Sequence, residues 1–242
     1  MSNLRDAIVR MALRRPYLYL LVTLVISIVL MEVLVEIAEH TFIKPALQQL
    51  ELQFIAYVQQ FVTPPLTAEV MLVTASGSST FYLLASALVC CWYLYSRKKD
   101  RLYLYLVCLC GGGILNQVLK RIFERVRPDI FPVIAESGYS FPSGHAMGAI
   151  CFYGILAYFA GLGLRSKPLR WGLMAAAGIY ILLIGLSRVY LGVHYPTDIL
   201  AGYAAGATWL FFVLRCIVFL ESVIKGAAAV VIKICFGFVY AK

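Results

Sequence analysis

Residues 102–128 read LYLYLVCLCGGGILNQVLKRIFERVRP, and this stretch decides the fold. A helix needs about 20 mostly apolar residues to cross the hydrocarbon of a bilayer. Leu102–Phe123 supplies them, with no charge before Lys120. The apolar run then ends in Lys120, Arg121, Arg125 and Arg127, closed by Pro128. A buried span with cations gathered at one end predicts a membrane helix that delivers positive charge to a membrane–water boundary. Pro128, which cannot continue a helix, is expected to stop it there and hold Arg127 in a rigid turn.

Working outward, five more stretches have this character: Tyr17–Ala38, Leu66–Tyr95, Ser143–Leu164, Trp171–Leu186 and Thr197–Leu220. The composition agrees. The chain is 62% hydrophobic and 14% charged, where soluble domains carry about a quarter charged residues. The reading is an all-α polytopic membrane protein, a six-transmembrane-helix bundle forming a single domain over residues 1–242. Its formal charge of +9 does not point to nucleic acid, because the basic residues fall in short clusters between apolar runs. Arg5, Arg10, Arg14 and Arg15 precede a first run too long for a cleaved signal, which is read as a retained span. The seven cysteines lie in or beside apolar runs and read as small core residues; Cys108-x-Cys110 has no His or second Cys pair to complete a metal site.

Basic residues favour cytoplasmic loops. Placing the N-terminus inside leaves only Lys44, Lys120, Arg121, Arg125, Arg127 and Arg188 outside. Both termini are then cytoplasmic, and residues 221–242 form a cytoplasmic tail. Between the first two spans, residues 41–63 place Phe42, Ile43, Leu47, Leu50, Phe54, Ile55, Val58 and Phe61 at helical spacing, with Gln48, Gln49, Glu51, Gln53, Gln59 and Gln60 at the other positions. This predicts an amphipathic helix on the outer membrane surface, either a roof over the site or a connector packed on the bundle.

Polar groups are costly in such a chain, so their clustering marks a site. Three segments hold them: Lys120 with Arg127-Pro128; Pro142-Ser143-Gly144-His145; and Ser187-Arg188 with His194 and Asp198. Lys120, Arg127 and Arg188 are three cations suited to phosphate oxygens. Ser143 is a natural helix N-cap, and Gly144 lets backbone N–H groups approach an anion. His145 follows in the first turn. Asp198, four residues after His194, can bond one imidazole nitrogen and leave the other free as a nucleophile. Each has a plainer reading taken singly: interfacial snorkelling for Lys120 and Arg127, capping for the tetrapeptide, a helix-end charge for Asp198. Arg121 and Arg125 are read as interfacial, as are Tyr139 and Phe141. Ser76–Thr80 is read as a small-residue packing patch inside the second span, and Ser187 as a residue of local structure.

In this order and spacing, the motifs Lys-x6-Arg-Pro, Pro-Ser-Gly-His and Ser-Arg-x5-His-x3-Asp resemble the three signatures of the type-2 phosphatidic acid phosphatase superfamily, membrane-bound branch. All defining positions are present between Lys120 and Asp198, within a motif-bearing core of residues 102–220. The resemblance implies that His194 attacks phosphorus, Asp198 orients it, and His145 protonates the leaving oxygen and later activates water. It implies that Lys120, Arg127, Ser143, Gly144 and Arg188 hold the phosphate, with no cofactor and no metal. The implied partners are the bilayer and a lipid phosphate met at the outer face of the plasma membrane: undecaprenyl diphosphate, favoured slightly by family analogy, phosphatidylglycerophosphate or phosphatidate. Two alternatives stand beside a hydrolase: a lipid phosphotransferase using the same phosphoenzyme, and a non-enzymatic protein that binds or transports lipid phosphates.

Overall fold

The computed structural model describes residues 45–129 and 132–215, with scattered positions between Leu18 and Ala38. Among these, every regular element is a helix: α1 (Pro45–Gln59), α2 (Pro64–Ala75), α3 (Ser79–Tyr95), α4 (Lys99–Phe123), α5 (Gly144–Gly163), α6 (Lys167–Tyr190) and α7 (Pro196–Arg215). Four of them, α4 to α7, are long and apolar enough to cross a membrane, and α2 with α3 makes a fifth if the bent pair is one span. The chain is a membrane protein. The expected first span is described only at those scattered positions, which are helical, and the tail 221–242 lies outside the described residues. Leu30–Leu210 forms one compact unit that contains the whole site.

The expected single span Leu66–Tyr95 is broken. α2 ends at Ala75 and α3 starts at Ser79, bent by 50°. Ser78 caps α3 by accepting from Phe81 N, so hydroxyl chemistry supports a fresh helix start where the sequence suggested only close packing. Gly77 in the break faces Ile184 and the His145 ring; a Cβ there would sit 3.0 Å from His145 Cδ2.

Helix α4 also stops differently from expectation. It ends at Phe123, with Glu124 in the left-handed conformation as its C-cap, well before Pro128. Arg125 and Arg127 therefore lie in an irregular segment beyond the helix end. Phe141 is not an interfacial aromatic: it is fully buried, edge-on to Phe123 at 4.9 Å, in a cluster with Met147, Ala201 and Ala205. Cys108 and Cys151 are buried as expected, but Cys91 and Cys110 are exposed.

The helix expected within residues 41–63 is present as α1, and its orientation is informative. Ile55 is fully buried against Ala146, Val189, Tyr195 and Ile199. Beside it Glu51, assigned from sequence to the polar outer face, is buried. Leu50, Phe54, Tyr57 and Phe61 are exposed instead. A membrane surroundings reverses the rule for soluble helices: apolar side chains tolerate lipid, while a carboxylate needs partners inside the protein.

α5 and α7 pack with backbones close together. A Cβ on Gly202 would lie 2.7 Å from Ser143 O, and one on Gly206 2.9 Å from Met147 O. This small-x-x-x-small spacing lets two membrane helices approach. Here it sets the start of α5, which carries Ser143-Gly144-His145, against the start of α7, which carries Asp198. The Ser143 amide donates to Asp198 O at 2.9 Å.

Candidate active site

The site is built from the α4 end and the irregular segment that follows it, the α5 start, the α6 end and the α6–α7 turn. His194 and Asp198 are both essentially inaccessible. His194 Nδ1 lies 3.2 Å from Asp198 Oδ2. A carboxylate only accepts, so Nδ1 carries the imidazole proton and Nε2 keeps its lone pair. The other side agrees: Arg127 Nη1, which only donates, is 3.2 Å from Nε2. Burial pushes the His194 pKa down to about 4, against the opposing pull of Asp198. The imidazole is therefore neutral near pH 7, as a nitrogen nucleophile must be.

Carbonyls of the loop before α5 and of the α6–α7 turn aim the cations. Lys120 Nζ donates to Tyr139 O at 2.6 Å. Arg127 donates to Gly138 O at 2.9 Å and to Val193 O at 2.9 Å. Arg188, in the last turn of α6, is buried and donates to Thr74 Oγ1 at 2.7 Å; its Nε has no hydrogen-bond partner. Glu136 pairs with Arg188 and lies 3.5 Å from Arg127 Nη1. A carboxylate thus sits between two arginines expected to hold phosphate. Ser143 Oγ caps α5 by accepting from Ala146 N, and Gly144 packs under Asn116, whose Oδ1 would lie 3.1 Å from an added Cβ. The Ser187 hydroxyl bonds Ile184 O within its own helix.

A cavity of about 660 Å³ leads to this cluster. Lys120, Arg127, Glu136, Gly144, His145 and His194 form its polar end. The rest runs between α3 and α4, along Tyr82, Leu83, Leu106, Leu109 and Gly113. An apolar channel ending in cations and imidazoles matches a molecule with a phosphate head and a greasy tail. No residue of α1 lines this channel; the helix packs on the bundle through Ile55.

Of the eight residues picked from the sequence, Lys120, Arg127, Gly144, His145 and His194 line this cavity; Asp198 lies behind His194, Ser143 caps α5, and Arg188 joins through Glu136. Sequence reasoning missed four others: Thr74, Glu136, Glu51 and Arg125. Arg125 was read as interfacial; it is buried, with Nη1 2.6 Å from Asp198 Oδ1 and Nη2 2.7 Å from Glu51 Oε2. The one legible signal was Glu51 itself, a carboxylate in a helix whose other polar positions are nearly all glutamine.

The PAP2 superfamily profile matches residues 101–221. The chain belongs to the PAP2 superfamily. It is 40% identical over 157 residues to Phosphatidylglycerophosphatase B of Bacillus subtilis (strain 168), covering 64% of this chain and 76% of that enzyme. It is 37% identical over 118 residues to Lipid A 1-phosphatase of Rhizobium johnstonii, covering 45% of this chain and only 43% of that enzyme. Among solved structures, a transmembrane PAP2-type phosphatidylglycerolphosphate phosphatase from Bacillus subtilis superimposes with a TM-score of 0.73 at 33% identity, covering 78% of this chain and 94% of that one. These three PAP2 relatives are named as lipid phosphatases, and the matched region of this PAP2 chain holds every motif residue of the site.

Proposed function

We propose that this protein hydrolyses the terminal phosphate of a membrane lipid through a phosphohistidine. The observation that carries the reading is the His194–Asp198 pair, set in the neutral tautomer with Nε2 directed at the cation cluster, at the polar end of an apolar channel. Lys120, Arg127 and Arg188, with the Ser143 hydroxyl and the Gly144 backbone N–H, hold the phosphoryl oxygens and offset their charge. The His194 Nε2 lone pair attacks phosphorus, and the P–O bond to the lipid breaks. The leaving oxygen takes the bond pair and a proton from His145. Asp198 faces the imidazolium charge that develops on His194. His145, now neutral, takes a proton from water; the water oxygen attacks phosphorus, and the P–N bond returns its pair to Nε2. Catalysis of this kind is mostly positioning and electrostatics, and none of these steps needs a metal.

The first substrate to test is phosphatidylglycerophosphate, on the strength of the 40% identical Bacillus relative; undecaprenyl diphosphate and phosphatidate are the comparators. The distribution of basic residues supports a six-span plasma-membrane protein with both termini cytoplasmic, α1 at the outer surface and the site open to the outer leaflet. The test is phosphate release from these lipids in detergent with excess chelator, for wild type and His194→Ala. Release by wild type alone, with acid-labile phosphate trapped on the protein, supports the reading. Equal release by both proteins refutes His194 as nucleophile. Transfer of the phosphoryl group to an added acceptor lipid in preference to water makes the protein a phosphotransferase.

A further inference from the structure

We infer that Glu51 and Arg125 are positioning residues of the catalytic machinery, and that α1 is thereby part of its frame. The inference rests on the phosphohistidine reading above. The bonds form one connected set. Arg125 Nη1 donates to Asp198 Oδ1 at 2.6 Å and to Thr197 Oγ1 at 2.8 Å. Arg125 Nη2 donates to Glu51 Oε2 at 2.7 Å. Glu51 Oε1 accepts from the Thr197 amide at 2.9 Å and the Thr197 hydroxyl at 2.6 Å. The guanidinium lies 3.8 Å over the Tyr195 ring. Asp198 spends its other oxygen on His194 Nδ1 and the Tyr195 amide. Both carboxylates are thus engaged through both oxygens, and the path Glu51–Arg125–Asp198–His194 joins α1 to the nucleophile.

Burial gives this path its consequence. Glu51 is 4% exposed, Arg125 8% and Asp198 0%. A buried carboxylate with only a neutral imidazole beside it lacks a counter-charge, and Arg125 supplies it. A guanidinium is a planar fork, so its second arm must be held for the first to aim. Glu51 holds that arm. It also accepts an N–H at the first turn of α7, where the intrahelical ladder offers no acceptor. Two helices that approach the site from opposite ends of the sequence are tied to the same carboxylate oxygen pair. Neither Glu51 nor Arg125 lines the substrate cavity. Their effect therefore passes through the aim of Asp198 on His194, and a misplacement of this order changes the chemical step by up to about a hundredfold.

The test uses the full-length protein in detergent. Glu51→Gln is the main variant: its amide oxygen can still accept from Thr197, so the fold is kept while the carboxylate on Arg125 is lost. The expected result is a kcat lowered about tenfold to a hundredfold with KM within about twofold of wild type. Arg125→Lys, which keeps a positive charge near Asp198, should retain more kcat than Arg125→Gln. Glu51→Gln combined with Arg125→Gln should cost no more than Arg125→Gln alone, since both act through one path. A kcat for Glu51→Gln within twofold of wild type, a loss shared with KM, or additive losses would overturn the inference. A measurement independent of turnover backs these. In ¹⁵N-histidine spectra, Glu51→Gln should move part of the His194 population to the Nε2–H tautomer; an unchanged spectrum counts against the inference even if no lipid is hydrolysed. Wild type and His194→Ala run alongside: an inactive wild type with the expected tautomer shift would defeat the phosphatase reading and leave the positioning path standing.

Discussion

Replacing Asp198 by Asn changes one atom and one charge, and the site predicts a large loss of turnover. The carboxylate accepts from His194 Nδ1 at 3.2 Å and the Tyr195 amide at 2.9 Å through Oδ2, and from Arg125 at 2.6 Å through Oδ1. A carboxamide has one acceptor atom. With its oxygen toward Arg125, its NH₂ meets the Tyr195 N–H and His194 Nδ1. The imidazole can then accept only by moving its proton to Nε2, the atom that must attack. With the amide reversed, its NH₂ meets the guanidinium, donor against donor, in a buried position. A wrong tautomer forced by the same swap in a serine-protease triad lowers kcat about 10⁴-fold. The expectation here is about 10³- to 10⁴-fold, or roughly 4–5.5 kcal/mol on the barrier. Loss of the charge-assisted bond to Arg125 should cost about 1–3 kcal/mol of stability, limited because Arg125 keeps Glu51. The assay pairs phosphate release with acid-quench trapping of phosphoenzyme, and a thermal melt reports the folded fraction. A folded Asp198→Asn protein with kcat within tenfold of wild type would refute the tautomer argument.

Three further outcomes are expected. His194 should remain neutral at pH 5.5 in ¹⁵N-histidine spectra, since burial holds its pKa near 4; an imidazolium at that pH would contradict the buried, desolvated geometry. Because its folded pKa lies below the unfolded value of about 6.5, protons bind the unfolded chain first: its contribution to stability is unchanged above pH 6.5 and is lost as pH falls toward 4. Gly113→Leu should fill the channel, since an added Cβ there meets nothing within 4 Å; displacing two methylenes of a lipid tail at about 0.8 kcal/mol each lowers kcat/KM for a long-chain lipid phosphate roughly tenfold, while a short water-soluble phosphate ester is spared. Glu136→Gln should tighten binding of orthovanadate about tenfold, about 1.4 kcal/mol, by freeing Arg127 and Arg188 of a competing carboxylate; unchanged or weaker binding would mean that Glu136 does not occupy the anion's place.

Much of this protein is determined by quantities local to the sequence. The length and apolarity of the runs set the helices that can cross a membrane, because each span must satisfy its own backbone hydrogen bonds. The four-residue spacing of His194 and Asp198 with the intervening Pro196, and the Pro-Ser-Gly-His start of α5, set local geometries that tertiary packing then kept. What the tertiary structure alone decided is everything that depends on one helix meeting another. Hydropathy is alike on both sides of Ser76–Ser78, so it cannot reveal a 50° bend. An arginine at the end of an apolar run looks the same whether it reaches water or turns inward. Arg125 turned inward because Glu51, 74 positions away, and Asp198, 73 positions away, are brought to it by packing. In a membrane, a charge is tolerated inside only where such partners converge, and that convergence is a property of the assembled bundle.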